Sequence, residues 1–354
     1  MPKRTKPQVR SGVPQPGSLN PHLQAQRRKL RPAAEYVAGI LGGSRVLLGQ
    51  AITLIESTRP EHQELAQAII EGCLPHSGRS FRVGITGSPG AGKSTFIEAL
   101  GQHLLQQGGR LAVLAIDPSS QVSRGSILGD KTRMEKLASR EAAFIRPSPA
   151  GESLGGVARK TRESIILCEA AGYDTIFIET VGVGQSETAV HSMADFFLLL
   201  LLPGAGDELQ GIKRGIVEMA DLIAVNKADG ERLPLAKRAR QEYRNALHLL
   251  PPKVSGWAPR VEICSATTGT GIAEAWAVAE DYLKITKANG FFEKNRRAQA
   301  HYWLHEAINQ QLRAAFAGNA DVREKLKSIE QAVLEGKLSP FQGAEELVGL
   351  FLKG

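Results

Sequence analysis

Residues 81–95 read Phe81-Arg-Val-Gly-Ile-Thr86-Gly87-Ser88-Pro89-Gly90-Ala91-Gly92-Lys93-Ser94-Thr95. An apolar run, 82–86, leads through three glycines into a segment whose apolar residues recur at helical spacing. Strand, G-x-x-x-x-G-K-S loop and helix in that order make a phosphate cradle. Its backbone N–H groups face a phosphate at the helix N-terminus, Lys93 reaches the β- and γ-phosphates, and the Ser94 hydroxyl ligates magnesium. Gly87, Ser88, Pro89, Gly90, Ala91, Gly92, Lys93, Ser94 and Thr95 are thus the expected phosphate-binding residues.

Outward from this loop, apolar runs at 82–86, 111–116, 143–145, 174–178, 195–202, 221–225 and 260–263 alternate with helix-length amphipathic segments. Strands this apolar, separated by helices, predict a parallel sheet covered on both faces. The helix after the loop leads through Gly108-Gly109 into another apolar run, which must pair in parallel through a right-handed crossover. The fold class expected is α/β, a P-loop domain of the signal-recognition-particle and MinD-like class with a mainly parallel sheet. The domain reading is a basic tail over 1–30, a helical region over 31–78, the P-loop domain over 79–288 and C-terminal helices over 289–354. Gly42-Gly43 and Pro60 break the first helical region into two or three helices, and Gly318, Gly336 and Pro340 punctuate the last.

Asn226-Lys227-Ala228-Asp229 follows the run 221–225 and selects the base. A carboxylate accepts two hydrogen bonds from guanine N1–H and its exocyclic amine, whereas adenine would face Asp229 with a lone pair. Lys227 lies along the base plane and Asn226 braces the loop. Between the two motifs, Thr175-Ile-Phe-Ile-Glu179 ends in a carboxylate suited to a magnesium-bound water. Thr180-Val-Gly182 follows, and the Gly182 N–H suits the γ-phosphate. Asp117, after the run 111–116, and Asp130, ending the loop 124–130, are candidates for outer magnesium binding or for orienting the attacking water, Asp117 being favoured by its strand tip. Val183 stands where Ras-like enzymes carry a water-orienting Gln, and the nearest amide is Gln185, so slow intrinsic hydrolysis accelerated by a partner is expected.

The chain has 354 residues, 44 Lys and Arg against 36 Asp and Glu, and a net charge of +8, a balance that invites nucleic acid or an anionic membrane. Its distribution removes that reading. Lys3, Arg4, Lys6, Arg10, Arg27, Arg28, Lys29 and Arg31 precede the first acid, Glu35, and the remaining charges cancel. No apolar run is long enough for a membrane span. Three scattered cysteines fit a reducing, cytoplasmic setting. The basic start lacks the apolar stretch of a secretory signal, and Pro2, Pro7, Pro14 and Pro16 oppose the amphipathic helix of a mitochondrial presequence.

The set GSPGAGKST, AIDPSS, GSILGDKTRM, ETVGVGQSE, GDELQGIK and NKADG resembles the MeaB/ArgK family over about residues 30–350. These are GTPase chaperones of adenosylcobalamin-dependent acyl-CoA mutases. The resemblance implies GTP/GDP and magnesium as ligands, and gating of cobalamin loading onto methylmalonyl-CoA mutase with protection of that enzyme. It also implies a homodimer joined through C-terminal helices. It assigns Lys93 and Ser94 to phosphate and metal, Asp117, Asp130 and Glu179 to the metal side, Asn226 and Asp229 to guanine, and 204–213 to relaying nucleotide state. Ser265-Ala266, after Cys264, matches the last guanine loop, with Thr267 where many GTPases carry Lys. A kinase or ATPase serving amino-acid transport is the alternative attached to the ArgK name. The Asn-Lys-x-Asp motif opposes the ATPase, and no phosphoacceptor-binding feature supports the kinase. A membrane-targeting GTPase is disfavoured by having only four Met residues.

His301 and His305, four apart on an expected helix, have no H-E-x-x-H or Cys partners and read as helix surface. Deleting residues 1–30 should leave GTP hydrolysis at the full-length rate, measured by phosphate release, because the excess charge lies outside the nucleotide machinery.

Overall fold

The computed structural model describes residues 30–116, 134–147, 154–180, 186–204 and 214–353. The apolar runs form β1 (Phe81–Gly87), β2 (Leu111–Ile116), β3 (Ala143–Arg146), β4 (Thr175–Thr180), β5 (Phe196–Leu201), β6 (Leu222–Val225) and β7 (Arg260–Ile263). They lie in one sheet of order β3-β2-β4-β1-β5-β6-β7, with every pairing parallel. Every residue of β1, β2, β4, β5 and β6 is buried, which is why those runs do not alternate with polar residues.

One boundary matters to the site. The strand expected to end in Glu179 continues one residue further to Thr180, and Glu179 sits inside the sheet between Ile85 and Ala115. The crossover from β1 reaches β2 in parallel but skips one place, which β4 fills. Strands β4 and β5 therefore flank β1 from chain segments running to opposite sides, and the crevice at its C-terminal end is a topological switch point.

The helices before the sheet are α1 (Ala33–Leu41), α2 (Arg45–Glu56) and α3 (Pro60–Cys73). Within and after it come α4 (Lys93–Gln106), α5 (Glu135–Ala138), α6 (Leu154–Ala170), α7 (Ser186–His191), α8 (Arg214–Met219), α9 (Leu233–His248), α10 (Ile272–Ala288), α11 (Phe291–Gly318), α12 (Ala320–Leu334) and α13 (Pro340–Phe351). Their starts follow local chemistry. Ser44, Asn319 and Ser339 accept from the backbone N–H three residues on, and Pro60 supplies the fixed φ of a first helical residue.

Tyr36, Ile40, Ile52 and Ile69 of the first three helices share one core with Ala112, Ile116, Ile176 and Ile178 of the sheet. On the other face Phe96, Leu100, Trp276 and Tyr282 cover Val83, Ile85, Phe177 and Leu198. Val322, Ile329 and Leu347 form a separate small cluster in α12 and α13.

Helix α11 is fastened to the body through polar groups. Arg296 grips Asp195 with two nitrogens and donates to Ser80 O at 2.7 Å. Gln299 Nε2 donates to Ala194 O at 2.7 Å and Trp303 Nε1 to Ser192 O at 3.1 Å. Glu169, whose side chain has no exposed area, accepts from Gly78 N–H at 2.6 Å and Arg82 Nε at 2.9 Å, with Arg296 Nη1 at 3.5 Å.

Burial alone would raise the Glu169 pKa, but Arg82, the Ser80 hydroxyl, Arg296 and the Gly78 N–H outweigh it and hold the carboxyl below its usual range. With the folded pKa depressed, this stabilisation is complete above the unfolded value near ~4.3 and is lost as pH falls through the folded pKa. Arg296→Ala leaves Asp195 and Glu169 short of a cation. It should cost about 3–5 kcal/mol at neutral pH, read from urea unfolding.

Candidate nucleotide site

The phosphate loop is shaped by backbone that side chains would block. A Cβ on Gly87 would stand 2.2 Å from Leu200 O, and one on Gly92 2.9 Å from Asn226 Nδ2. Gly90 and Gly92 also have φ of +80° and +85°, the left-handed region that favours glycine. Gly92 precedes α4 without a side-chain cap, so the first N–H groups of the helix, at Lys93, Ser94 and Thr95, are available to an anion. Inside the loop the Ser88 hydroxyl is buried with no hydrogen-bond partner among the described residues. A cradle that a Cβ would fill, lined by N–H donors, fits a nucleotide phosphate.

Lys93 folds back over its own loop, donating to Gly87 O at 2.8 Å and Ser88 O at 3.4 Å. Burial pulls its ammonium below the ordinary lysine range, and the charges of Glu179 and Glu187 push the other way. Glu179 and Glu187 are both buried, on β4 and in the first turn of α7. Glu187 is a site residue that the motif reading passed over. Its signal was an acid opening the helix that follows the Glu179-Thr-Val-Gly segment, and only the packing of α7 shows that it faces inward. Thr86 and Thr180 hydroxyls meet at 2.9 Å, joining the tips of β1 and β4 beneath the loop.

On the base side, Asn226 is held at both ends of its amide. Nδ2 donates to Ala91 O at 2.8 Å, and Oδ1 accepts from Ala266 N–H at 3.0 Å. The phosphate loop, the end of β6 and the loop after β7 are thereby tied together. Ser265 donates to Asp229 Oδ1 at 3.0 Å, fixing an exposed carboxylate beside that loop. Lys227 has φ of +59°, the one non-glycine residue with positive φ among those described. A left-handed residue between Asn226 and Asp229 marks a place where geometry outranks backbone preference.

The structure thus brings together Gly87–Thr95, Glu179, Asn226, Lys227, Asp229, Ser265 and Ala266. Asp117, Asp130, Gly182, Val183, Gln185 and 205–213 lie outside the described residues, as does the tail before residue 30. Among the described residues no group of three or more His, Cys, Asp or Glu side chains could hold a metal. Ser94 and Glu179 are the described candidates, and magnesium in such sites is held largely by phosphate oxygens and water. When bound, the ion would neutralise charge on the β- and γ-phosphates.

The profile of the methylmalonyl Co-A mutase-associated GTPase MeaB family matches residues 48–321. A Mus musculus protein, methylmalonic aciduria type A homolog, mitochondrial, is 47% identical over 323 residues, covering 88% of this chain and 78% of its own length. GTPase ArgK of Escherichia coli is 46% identical over 314 residues, 89% of this chain and 95% of that one. The crystal structure of a LAO/AO transport system kinase superposes with a TM-score of 0.72 at 39% identity, covering 90% of this chain and 97% of the other.

Asp229→Asn should move preference from GTP towards xanthosine triphosphate in competitive binding, since an amide donor then faces the base. Unchanged GTP selectivity would refute the assignment of Asp229 to guanine. The cradle over β1, the braced base loops and the relatives agree, and this chain belongs to the MeaB family of GTPases, which bind GTP and GDP with magnesium and hydrolyse GTP.

Proposed function

We propose that this GTPase is a chaperone of an adenosylcobalamin-dependent acyl-CoA mutase, methylmalonyl-CoA mutase in the first instance, gating cofactor loading and protecting the enzyme. The observation that carries the reading is the mutase-associated family match over residues 48–321, laid over a site built for a guanine nucleotide.

The roles proposed for the site residues follow its geometry. Lys93 leaves the carbonyls of Gly87 and Ser88 for the phosphates, the N–H groups of Gly87–Thr95 hold them, and Ser94 with Glu179 serves magnesium. Asp117 and Asp130 join the metal side, and the Gly182 N–H senses the γ-phosphate. Asn226 braces the base loops, Lys227 lies along the base, Asp229 reads guanine, and Ser265 and Ala266 close the pocket.

Segment 204–213 leads into α8 and relays nucleotide state to the mutase. The C-terminal helices over 289–354 join two copies, a reading supported by Leu304, Ile308 and Leu312, a row of exposed apolar residues on α11. No helix among the described residues is long and apolar enough to cross a membrane. The three cysteines are buried and free, as suits a cytoplasmic protein.

A second reading, a kinase serving amino-acid transport, is favoured by the name of the LAO/AO transport system kinase that this chain resembles. The two part on what stimulates turnover. GTP hydrolysis should be slow alone and rise at least about tenfold with purified mutase, as partners that complete a GTPase site act on kcat. If the mutase neither binds nor accelerates hydrolysis, while phosphate passes to a protein acceptor, the transport reading replaces the first.

A further inference from the structure

The sequence leaves His301 and His305 as helix surface, yet in the structure their rings converge. Both are exposed on α11, with Nε2 atoms 3.2 Å apart and ring centroids 4.4 Å apart. One neutral ring can donate to the other at that distance. The same separation is also the bite of a chelate. Two imidazole nitrogens bound at about 2.0–2.1 Å to one tetrahedral ion stand roughly 3.3 Å apart, so the pair reaches the chelating separation with ring rotation alone.

The fold keeps the pair in this register. Arg296, Gln299 and Trp303 clamp α11 to the body through Asp195, Ala194 and Ser192. At about 100° per residue, the clamping residues and the histidines lie on nearly opposite faces of the helix. The backbone under His301 and His305 is therefore fixed, and both rings are exposed on the single chain, on the helix face that also carries Ile308 and Leu312. Two histidines at i, i+4 on one face are a recurrent zinc-binding arrangement on helices.

We propose that His301 and His305 form a bidentate site for a divalent transition-metal ion of the zinc, nickel or copper class, separate from the magnesium of the nucleotide site. Imidazole nitrogen suits these ions, whereas magnesium and calcium require oxygen donors. Water completes the coordination, so the site is weaker than a structural zinc centre with four protein ligands. The bound ion cross-links one turn of α11.

The test uses the full chain without a polyhistidine tag, with GDP and magnesium present to fill the nucleotide site. Calorimetric titration with nickel should show one ion per chain, uncontested by excess magnesium or calcium. His301→Ala and His305→Ala should each weaken binding at least about tenfold, because the second ligand's effective concentration is lost. With copper, the electron paramagnetic resonance signature of two bound imidazole nitrogens should fall to one in each variant. Both variants should keep the full GTPase rate, which shows that they are folded. Wild-type protein that binds no ion at millimolar concentration, or variants that bind like wild type, would overturn the proposal.

Discussion

The side-chain amide of Asn226 is engaged at both ends, through Ala91 O and Ala266 N–H, at a position almost closed to solvent. Three loops from β1, β6 and β7 meet on this one planar group. An amide is the suitable device because it offers a donor and an acceptor at fixed separation and carries no charge that burial would penalise. The loop Gly87–Thr95 and the loops that carry Asp229 and Ala266 are thus held at a set spacing, the kind of pre-organisation a binding site needs.

This arrangement requires the strands to lie where they do. Strand β1 sits between β4 and β5, so Lys93, Glu179 and the base loops converge from distant parts of the sequence at the C-terminal ends of the strands. The burial that makes the strands apolar also sets the electrostatics. Lys93 is drawn out of water and balanced by Glu179 and Glu187, so the ammonium is poised over its own loop. A phosphate would offer it stronger charge-assisted bonds than the carbonyls it now holds.

The opposite end of the sheet shows the same economy of polar groups. Glu169, Arg82, Asp195 and Arg296 form a buried, mutually satisfied network that fixes α11 against the residues following α7. Such networks are costly to break and define one docking geometry. Helix α7 opens with Glu187 near Lys93 and is followed by Ser192, Ala194 and Asp195, which accept hydrogen bonds from α11, so nucleotide site and C-terminal helix share one short element.

By itself the sequence determined the parallel α/β class and located the G-x-x-x-x-G-K-S loop and the Asn-Lys-x-Asp tetrapeptide, because each rests on local spacing: apolar runs for strands, glycines for a tight cradle, Asp229 three residues after Asn226. It also located the helical segments before and after the sheet from breakers such as Pro60 and Gly336. Only the tertiary structure placed β4 between β1 and β2, with Glu179 paired on both sides. It alone brought Glu187 to Lys93, joined Ala91 to Asn226 and turned the rings of His301 and His305 towards each other. These contacts link residues whose chemistry is ordinary in isolation, and most join residues far apart in the chain. Spacing records what one element can do, whereas partners across the fold are chosen by packing, which no single segment encodes.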